Sequence, residues 1–248
     1  MSLVSSLRAT VLSGLSFVYP MFNEAENIEK TVRESLAIGP RVADKVEIVI
    51  VDDASTDESG KIVDGLSETR PELRVIHHEK NRGLGGALKS GFAAARMNWI
   101  LYIDSDLPVD LNEALAAFPL TAAADMVIGW RRTRAESLRR EIISKVYNLM
   151  IRGLFNLHVH DVNFAFKLFK RSLYQKVRLT SEGSFIDAEL LLEMRRAGAR
   201  IVELPLTYYP RVAGVSTLSG NAVIFRILAE MFRYRIFGHA QPYDRGGR

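Results

Sequence analysis

The most distinctive chemistry in this sequence is a pair of carboxylates that follows an apolar segment. Asp104 and Asp106 are separated by one residue and come directly after WILYI, residues 99–103. Two carboxylates at positions i and i+2 beyond a buried strand can hold a hard divalent cation between the protein and a diphosphate, because such cations prefer oxygen ligands. The spacing predicts a Mg²⁺ or Mn²⁺ site with Asp104 and Asp106 as ligands.

Two further polar pairs follow apolar segments in the same way. Asn23 and Glu24 come after the first such segment, and Asp52 and Asp53 come after the second. An Asp53 carboxylate can accept hydrogen bonds from a nucleotide base. Helix capping by groups such as Asn23, or an Asx turn at Asp52 or Asp53, is the structural alternative, and both roles can hold together.

The elements that must position these residues alternate between strand and helix. Strands are predicted at 15–19, 46–51, 74–77, 99–103 and 126–128, and helices at 24–37, 57–68, 85–96 and 111–122. After Trp130 the pattern gives a helix at 138–155, a strand at 163–169, a helix at 185–197 and strands within 200–209. This order predicts an α/β fold with a mainly parallel sheet flanked by helices, and ligands bind such sheets beyond the carboxyl ends of the strands.

A glycine-rich segment, NRGLGGA, occupies residues 81–87. It follows the third predicted strand and lacks the GxGxxG spacing, so it does not predict a dinucleotide-binding fold. A glycine-rich helix start favours close approach of the backbone to a ligand or to a neighbouring helix, and packing is the commoner reason.

Basic residues gather just after the fifth strand, where Arg131, Arg132 and Arg140 lie within ten positions. A solvated face and a nucleic-acid surface are the alternatives, but the segment has few aromatic residues and no nucleic-acid-binding motif. Arg140 and Ser144 share one helix face at i and i+4, which favours binding of an acceptor phosphate.

Two other segments carry candidate catalytic groups. Asp187 lies near the start of a predicted helix and is either a general base or a partner of the helix dipole. Arg211 lies in the segment RVAGVS, and a basic loop of this kind can close over a diphosphate.

Composition excludes several classes of protein. The 248 residues contain no cysteine, which excludes a disulfide framework, a thiolate nucleophile and a cysteine-ligated metal. Residues 1–129 hold 12 basic and 19 acidic side chains, a net charge of −7, whereas residues 130–248 hold 21 and 10, a net charge of +11. The two halves are therefore expected to meet different partners. No signal peptide or membrane-spanning segment is predicted, and the expected location is cytoplasmic.

The ordered set of motifs resembles the family 2 inverting glycosyltransferases of the GT-A fold, in particular the dolichyl- or polyprenyl-phosphate mannose synthase-like branch. The resemblance runs from about residue 15 to residue 218 and rests on YPMFNEAENI, VIVDDASTD, NRGLGGAL, YIDSDLP, IGWRR, HDVNFAFKLF and PRVAGVS. It implies a GT-A nucleotide-diphospho-sugar transferase domain at residues 1–218.

The resemblance also implies roles for individual residues. The nucleotide sugar, with GDP or UDP as its nucleotide, would contact a group at three strand ends: Pro20, Asn23, Glu24, Asp52, Asp53, Asp104 and Ser105. The acceptor phosphate would contact Arg132, or Arg131 in an alignment shifted by one residue, together with Arg140 and Ser144. Asp106, Arg211 and Asp187 are the candidate catalytic residues.

The expected reaction moves a hexose, mannose or glucose, to a polyprenyl phosphate with inversion. A phosphate oxygen is already an anionic nucleophile, so positioning and charge neutralisation suffice without a base. One alternative is a soluble relative that glycosylates a hydroxyl with Asp187 as base. Another is a catalytically degenerate relative, suggested by Pro108 where the family usually has Gln and by Thr217 where it usually has Lys.

Residues 219–248 are expected to form an amphipathic helix and tail, with the helix between Ser219 and Gly238. Its predicted apolar face comprises Val223, Ile224, Ile227, Leu228, Met231 and Phe232, opposite Arg226, Glu230 and Arg233. Such a helix can lie peripherally in the inner face of a membrane, pack on the core, or pack on a twin subunit in a homodimer. Nucleic acid is not an expected partner.

Overall fold

A twisted sheet runs through the part of the chain that the computed structural model describes, which comprises residues 11–132, 138–209 and 221–237, with the backbone alone for 138–140 and 221–226. Its strands are β1 (Leu15–Met21), β2 (Val46–Asp52), β3 (Leu73–His77), β4 (Trp99–Ile103), β5 (Met126–Arg131), β6 (Phe166–Lys170) and β7 (Ile201–Leu206). The seven strands lie in the order β3-β2-β1-β4-β6-β5-β7. Only β6 runs antiparallel to its neighbours, so the predicted mainly parallel sheet is confirmed.

Helices cover both faces of this sheet. They are α1 (Ile28–Val42), α2 (Ser59–Thr69), α3 (Gly83–Ala94), α4 (Leu111–Ala114), α5 (Leu138–Phe155), α6 (Arg171–Tyr174), α7 (Ile186–Arg196) and α8 (Asn221–Phe237). One apolar core lies between the sheet and α1, α2 and α4, and a second lies between the sheet and α3, α5, α7 and α8. None of the helices in the described ranges is long and apolar enough to cross a bilayer.

The central strands are largely apolar because both of their faces are covered. In β2, Ile48 and Ile50 enter the first core, whereas Val49 and Val51 enter the second. The parallel register of β1 with β2 pairs Met21 with Asp52, so the two strands end side by side. The polar residues that follow them therefore meet at one edge of the sheet.

Two predicted helices differ from the observed ones by more than two residues at an end. The helix expected at 111–122 stops after one turn at Ala114 and continues as two short 3₁₀ turns, Leu115–Ala117 and Pro119–Ala122. Pro119 explains the break, because proline has no N–H for the helix ladder and its ring clashes with the preceding turn. The first helix begins at Ile28 instead of residue 24, since residues 24–27 form a turn closed by Asn27 N and Ile28 N donating to Glu24 O.

The C-terminal helix α8 packs on the second core through Met231 and Tyr234, both buried. Glu230 was expected on the polar outer face, but its carboxylate accepts a hydrogen bond from Gly183 N at 2.8 Å. Phe232 was expected on the apolar face that packs, but it is exposed. Of the alternatives for this helix, packing against the core is therefore observed for its described side chains.

The glycine-rich segment at the start of α3 packs against the backbone of residues 181–182. Gly85 N donates a 2.8 Å hydrogen bond to Glu182 O, and a Cβ at Gly85 would lie 2.3 Å from Ser181 O. Gly83 has a φ of +75°, a conformation that favours glycine. Packing of this segment is therefore confirmed, but its partner is the loop before α7 and not a helix.

We expect Gly85→Ala to lower the free energy of unfolding by about 1–3 kcal/mol, because the methyl group forces apart two backbone segments that cannot adjust independently. Gly65→Ala is the matched control, since Gly65 lies in α2 and a methyl group added there would meet no neighbouring side chain or segment within 4 Å. That substitution should raise the free energy of unfolding by about 0.5–1 kcal/mol. Urea denaturation of both variants measures the difference, and equal stability would contradict the packing account.

Candidate active site

The carboxyl edge of β1, β2 and β4 brings together the three polar segments that the sequence indicates. Ser105 links two of them: its hydroxyl donates to Pro20 O at the end of β1, and its own carbonyl accepts from Thr31 Oγ1 at 2.7 Å. Ser105 is 2% exposed, so its contacts fix the short segment between the two aspartates. Asp104 and Asp106 are thereby held at the end of β4.

Asp52 and Asp53 each bind a histidine at the end of the neighbouring strand. Asp52 Oδ2 lies 2.9 Å from His77 Nδ1, and Asp53 Oδ1 lies 2.6 Å from His78 Nδ1. Asp52 Oδ1 also accepts from Ser55 N at 2.9 Å, which is the expected Asx turn. These contacts hold both carboxylates, 5% and 3% exposed, in fixed orientations at the strand ends.

Asp53 also positions the glycine-rich start of α3. Its Oδ1 accepts from Arg82 N and its Oδ2 from Gly83 N, each at 2.8 Å. The sequence indicates a nucleotide contact for this carboxylate, and the structure adds a role in attaching one loop to another. A base that approached Asp53 would meet a carboxylate whose orientation is already set by the protein.

Asn23 and Glu24 attach the end of β1 to the loop before α2. Asn23, at a φ of 57°, accepts from Thr56 N at 2.8 Å through its side-chain oxygen. Glu24 N donates to Ser59 Oγ at 2.7 Å, and Glu24 Oε2 accepts from Asn27 Nδ2 at 2.7 Å. Asn23 does not cap α1; it bridges two loops at the edge where the strands end.

The environment of Asp104 opposes a negative charge on its carboxylate. Burial, together with the charges of Asp106 and Asp187, raises the pKa of Asp104 to about 7. The Tyr102 hydroxyl donates to Asp104 Oδ1 at 3.1 Å, which partly offsets this effect. A cation at this position would favour the charged form of the carboxylate.

The main counter-charge in the described structure is a residue to which the sequence analysis gave no role. Lys167 lies in β6 opposite Tyr102 in β4, is 1% exposed, and its ammonium donates to Asp187 Oδ1 at 2.6 Å and to Phe164 O at 2.9 Å. The Lys167 charge also favours ionised Asp104. The sequence feature that could have indicated this role is a lysine within the otherwise apolar segment FAFKLF, residues 164–169.

Asp187 is buried in this ion pair, with 4% of its side chain exposed. Burial raises the pKa of Asp187, and the Lys167 ammonium acts in the opposite direction. A general base must reach the proton that it removes. Here the carboxylate binds Lys167, and this placement favours a positioning role for Asp187.

The structure distinguishes the two adjacent arginines that are candidates for binding the acceptor phosphate. Only 10% of the Arg131 side chain is exposed, and its guanidinium binds Asp161 at 2.7 and 3.1 Å in a bidentate pair. The Arg132 side chain is 55% exposed and binds Glu113 at 2.5 Å. Arg132 is thus the more accessible of the two for an anionic ligand.

The structure describes the other residues predicted to bind phosphate groups only in part. Ser144 lies in α5, where its carbonyl accepts from Asn148 Nδ2 at 2.9 Å. Arg140 lies one turn earlier in the same helix, with only its backbone described, and Arg211 lies outside the described residues. The i, i+4 spacing in one helix agrees with the predicted pairing of Arg140 and Ser144 on one face.

The residues present fit a divalent cation that is shared with a ligand. In the described ranges no three histidine, aspartate or glutamate side chains form a cluster that could hold a metal ion alone. Asp104 and Asp106 supply two carboxylates, and burial together with the charges of Asp106 and Asp187 raises the pKa of Asp104, so a positive charge there would favour its ionised form. Mg²⁺ in particular is commonly held by one or two carboxylates plus phosphate oxygens and water.

Removal of the Lys167 ammonium should destabilise the protein strongly. We expect Lys167→Met to lower the free energy of unfolding by about 3–5 kcal/mol, because Asp187 would keep a buried charge without its partner. The second substitution in Lys167→Met/Asp187→Leu should restore most of that loss, since both charges are then removed.

Lys170→Met is the matched control, because Lys170 lies in the same strand and binds Asp125 at 2.6 Å, but 37% of its side chain is exposed. That variant should lose at most about 1 kcal/mol. Urea denaturation of the four proteins tests this expectation. Equal losses in the two single lysine variants would show that the buried pair has no special role.

Comparison with known proteins agrees with this geometry. The family model described as "Glycosyl transferase family 2" matches residues 16–178. Glycosyltransferase AglD of Haloferax volcanii is 31% identical over 207 residues, which are 79% of this chain and 33% of AglD, so the chain spans about a third of that relative. Polyprenol monophosphomannose synthase of Mycolicibacterium smegmatis is 29% identical over 243 residues, covering 92% of this chain and 88% of that protein.

Among solved structures, the mannosyltransferase PcManGT of Pyrobaculum calidifontis, in complex with GDP-Man and Mn²⁺, has the same fold. It superposes with a TM-score of 0.62 at 20% identity, covering 90% of this chain and 65% of PcManGT. This likeness confirms the GT-A architecture. With the family match over most of the sheet and its carboxyl edge, the chain belongs to glycosyl transferase family 2.

Proposed function

We propose that this protein transfers a hexose, mannose or glucose, from a GDP- or UDP-sugar to a polyprenyl phosphate with inversion at the sugar. The observation that carries the proposal is the half-buried pair of carboxylates, Asp104 and Asp106, at the carboxyl edge of a family 2 sheet. The acceptor class is supported by a relative named for a polyprenol product, which is similar over 92% of this chain.

The donor would lie across the ends of β1, β2 and β4. The Asp53 and Glu24 side chains are fixed by the neighbouring loops and would accept hydrogen bonds from the nucleoside. Asp104 and Asp106 would hold Mg²⁺ or Mn²⁺ against the diphosphate, where the cation neutralises charge on the leaving group. Fixed loops reduce the reorganisation needed when the transition state forms.

The acceptor would approach from the basic half of the chain. Arg132 is exposed at the end of β5, and Ser144 is half-buried in α5; together with Arg140 these groups would orient the lipid phosphate. The phosphate oxygen attacks the anomeric carbon, the bond from that carbon to the nucleoside diphosphate breaks, and the nucleoside diphosphate leaves with the electron pair. Since the nucleophile is already ionised, this reaction needs no proton transfer to Asp187.

The protein would act at a membrane surface, because a polyprenyl phosphate acceptor resides in a bilayer; the cytoplasmic face remains the predicted side. A hydroxyl acceptor is the rival class and requires a base. The ion pair between Asp187 and Lys167 disfavours that role, since the carboxylate is buried and already accepts a hydrogen bond.

A direct test is transfer of labelled sugar from GDP- and UDP-sugars to a short polyprenyl phosphate, with the corresponding polyprenol as the matched acceptor. We expect label on the phosphate and none on the alcohol. Arg132→Gln should raise KM for the lipid phosphate about tenfold and leave donor binding unchanged, because it removes one charged hydrogen bond.

Label on the polyprenol or on an added saccharide would overturn the assignment of the acceptor. Binding of nucleotide without turnover on any donor would support a degenerate relative instead. Thermal unfolding of Arg132→Gln checks that the variant keeps the wild-type fold.

A further inference from the structure

The outward face of α5 is apolar, although it is exposed. Ile142, Val146 and Leu149 are 52%, 50% and 68% exposed, and their spacing places them on one side of the helix. We call these three residues the outer α5 face. A surface helix normally presents polar residues to water, so this face is an exception.

The opposite side of α5 accounts for the packing of the helix on the protein. Tyr147 and Ile151 are buried in the second core, and the Asn148 side chain accepts a hydrogen bond from Val162 N at 3.0 Å. Ser144, which we assign to the acceptor phosphate, lies on this same side by its spacing from Tyr147 and Ile151. The outer α5 face is therefore not needed to attach the helix, and its apolar residues need another explanation.

Helix α8 adds exposed apolar residues next to α5. The two helices meet where the rings of Phe155 and Tyr234 lie 5.7 Å apart. Phe232, Ile236 and Phe237 of α8 are 51%, 65% and 64% exposed. Exposed apolar side chains clustered on a helix are typical of sites that bind a protein or a membrane.

The charges around these residues favour an anionic partner. Lys145 and Arg152 of α5 and Arg233 and Arg235 of α8 are exposed. The described acidic side chains of these helices are Glu141, which pairs with Lys145 at 2.7 Å, and Glu230, which accepts a hydrogen bond from Gly183 N. One carboxylate therefore offsets Lys145, and the net charge of the exposed residues stays positive through Arg152, Arg233 and Arg235. An apolar face with flanking basic residues is the pattern of helices that lie in a membrane interface.

We propose that α5 docks this protein on an anionic bilayer, with the outer α5 face inserted among the lipids and Lys145 and Arg152 at the headgroups. This inference rests on the proposed function for its biological purpose: a helix with lipid on one side and Ser144 on the other would bring a lipid phosphate to the active site. Basic residues near an anionic surface each strengthen such binding about fivefold.

The test is sedimentation of the full chain with vesicles of phosphatidylcholine, with and without phosphatidylglycerol. We expect strong binding only with phosphatidylglycerol, and at least about tenfold weaker binding for I142Q/V146Q/L149Q. Glutamine is a good helix former, so α5 should persist in the variant. V11Q is the matched control, because Val11 is also 50% exposed but lies far from α5 in sequence.

A second variant, K145Q/R152Q, keeps the apolar face but removes two basic side chains. It should bind vesicles more weakly, because it lacks the electrostatic part of the binding that high salt removes in wild type. Unchanged vesicle binding in both variants, with circular dichroism showing folded protein, would overturn the proposal. The proposal would also fail if the wild type did not bind vesicles and instead formed a dimer, with I142Q/V146Q/L149Q a monomer. A second copy of the chain would then cover the outer α5 face.

The proposed function can fail separately. If wild type binds vesicles through the outer α5 face but labels no polyprenyl phosphate, the docking stands and the acceptor is wrong. If I142Q/V146Q/L149Q loses vesicle binding but still glycosylates a short, water-soluble polyprenyl phosphate, both proposals hold.

Discussion

The organisation of the active site depends on carboxylates that the fold collects and partly buries at one edge of its sheet. Burial, together with the nearby charges of Asp106 and Asp187, raises the pKa of Asp104 to about 7. Burial makes each charge costlier, because the protein interior stabilises ions less well than water does. The ammonium of Lys167 offsets only part of this effect, and a divalent cation would offset the rest.

Several polar groups at the site also bind other parts of the protein. Asp53 holds the start of α3, Asn23 holds the loop before α2, and Ser105 binds the end of β1. Each contact fixes a loop that also carries a proposed ligand group. A site built from loops fixed in this way can present its carboxylates without rearrangement when the ligand arrives.

Sequence patterns predicted the strand ends well, because buried parallel strands are recognisable as apolar segments followed by polar residues. They did not predict that the helix expected at 111–122 ends at Ala114, because the apolar periodicity continues past Pro119 and outweighed the signal of a single proline. The role of Lys167 could not be predicted, since it depends on the pairing of β4 with β6. The choice between Arg131 and Arg132 likewise depends on which side chain packs against Asp161.

The central claim is that Asp104 and Asp106 bind a divalent cation together with a nucleoside diphosphate. Calorimetry of GDP and UDP binding, with and without Mn²⁺, tests it most directly, with Asp106→Asn as the variant and the exposed Asp44→Asn as control. Mn²⁺ should tighten nucleotide binding by about tenfold or more in the wild type and in Asp44→Asn, and should have no such effect in Asp106→Asn. Equal nucleotide affinity with and without Mn²⁺ in the wild type would contradict the account.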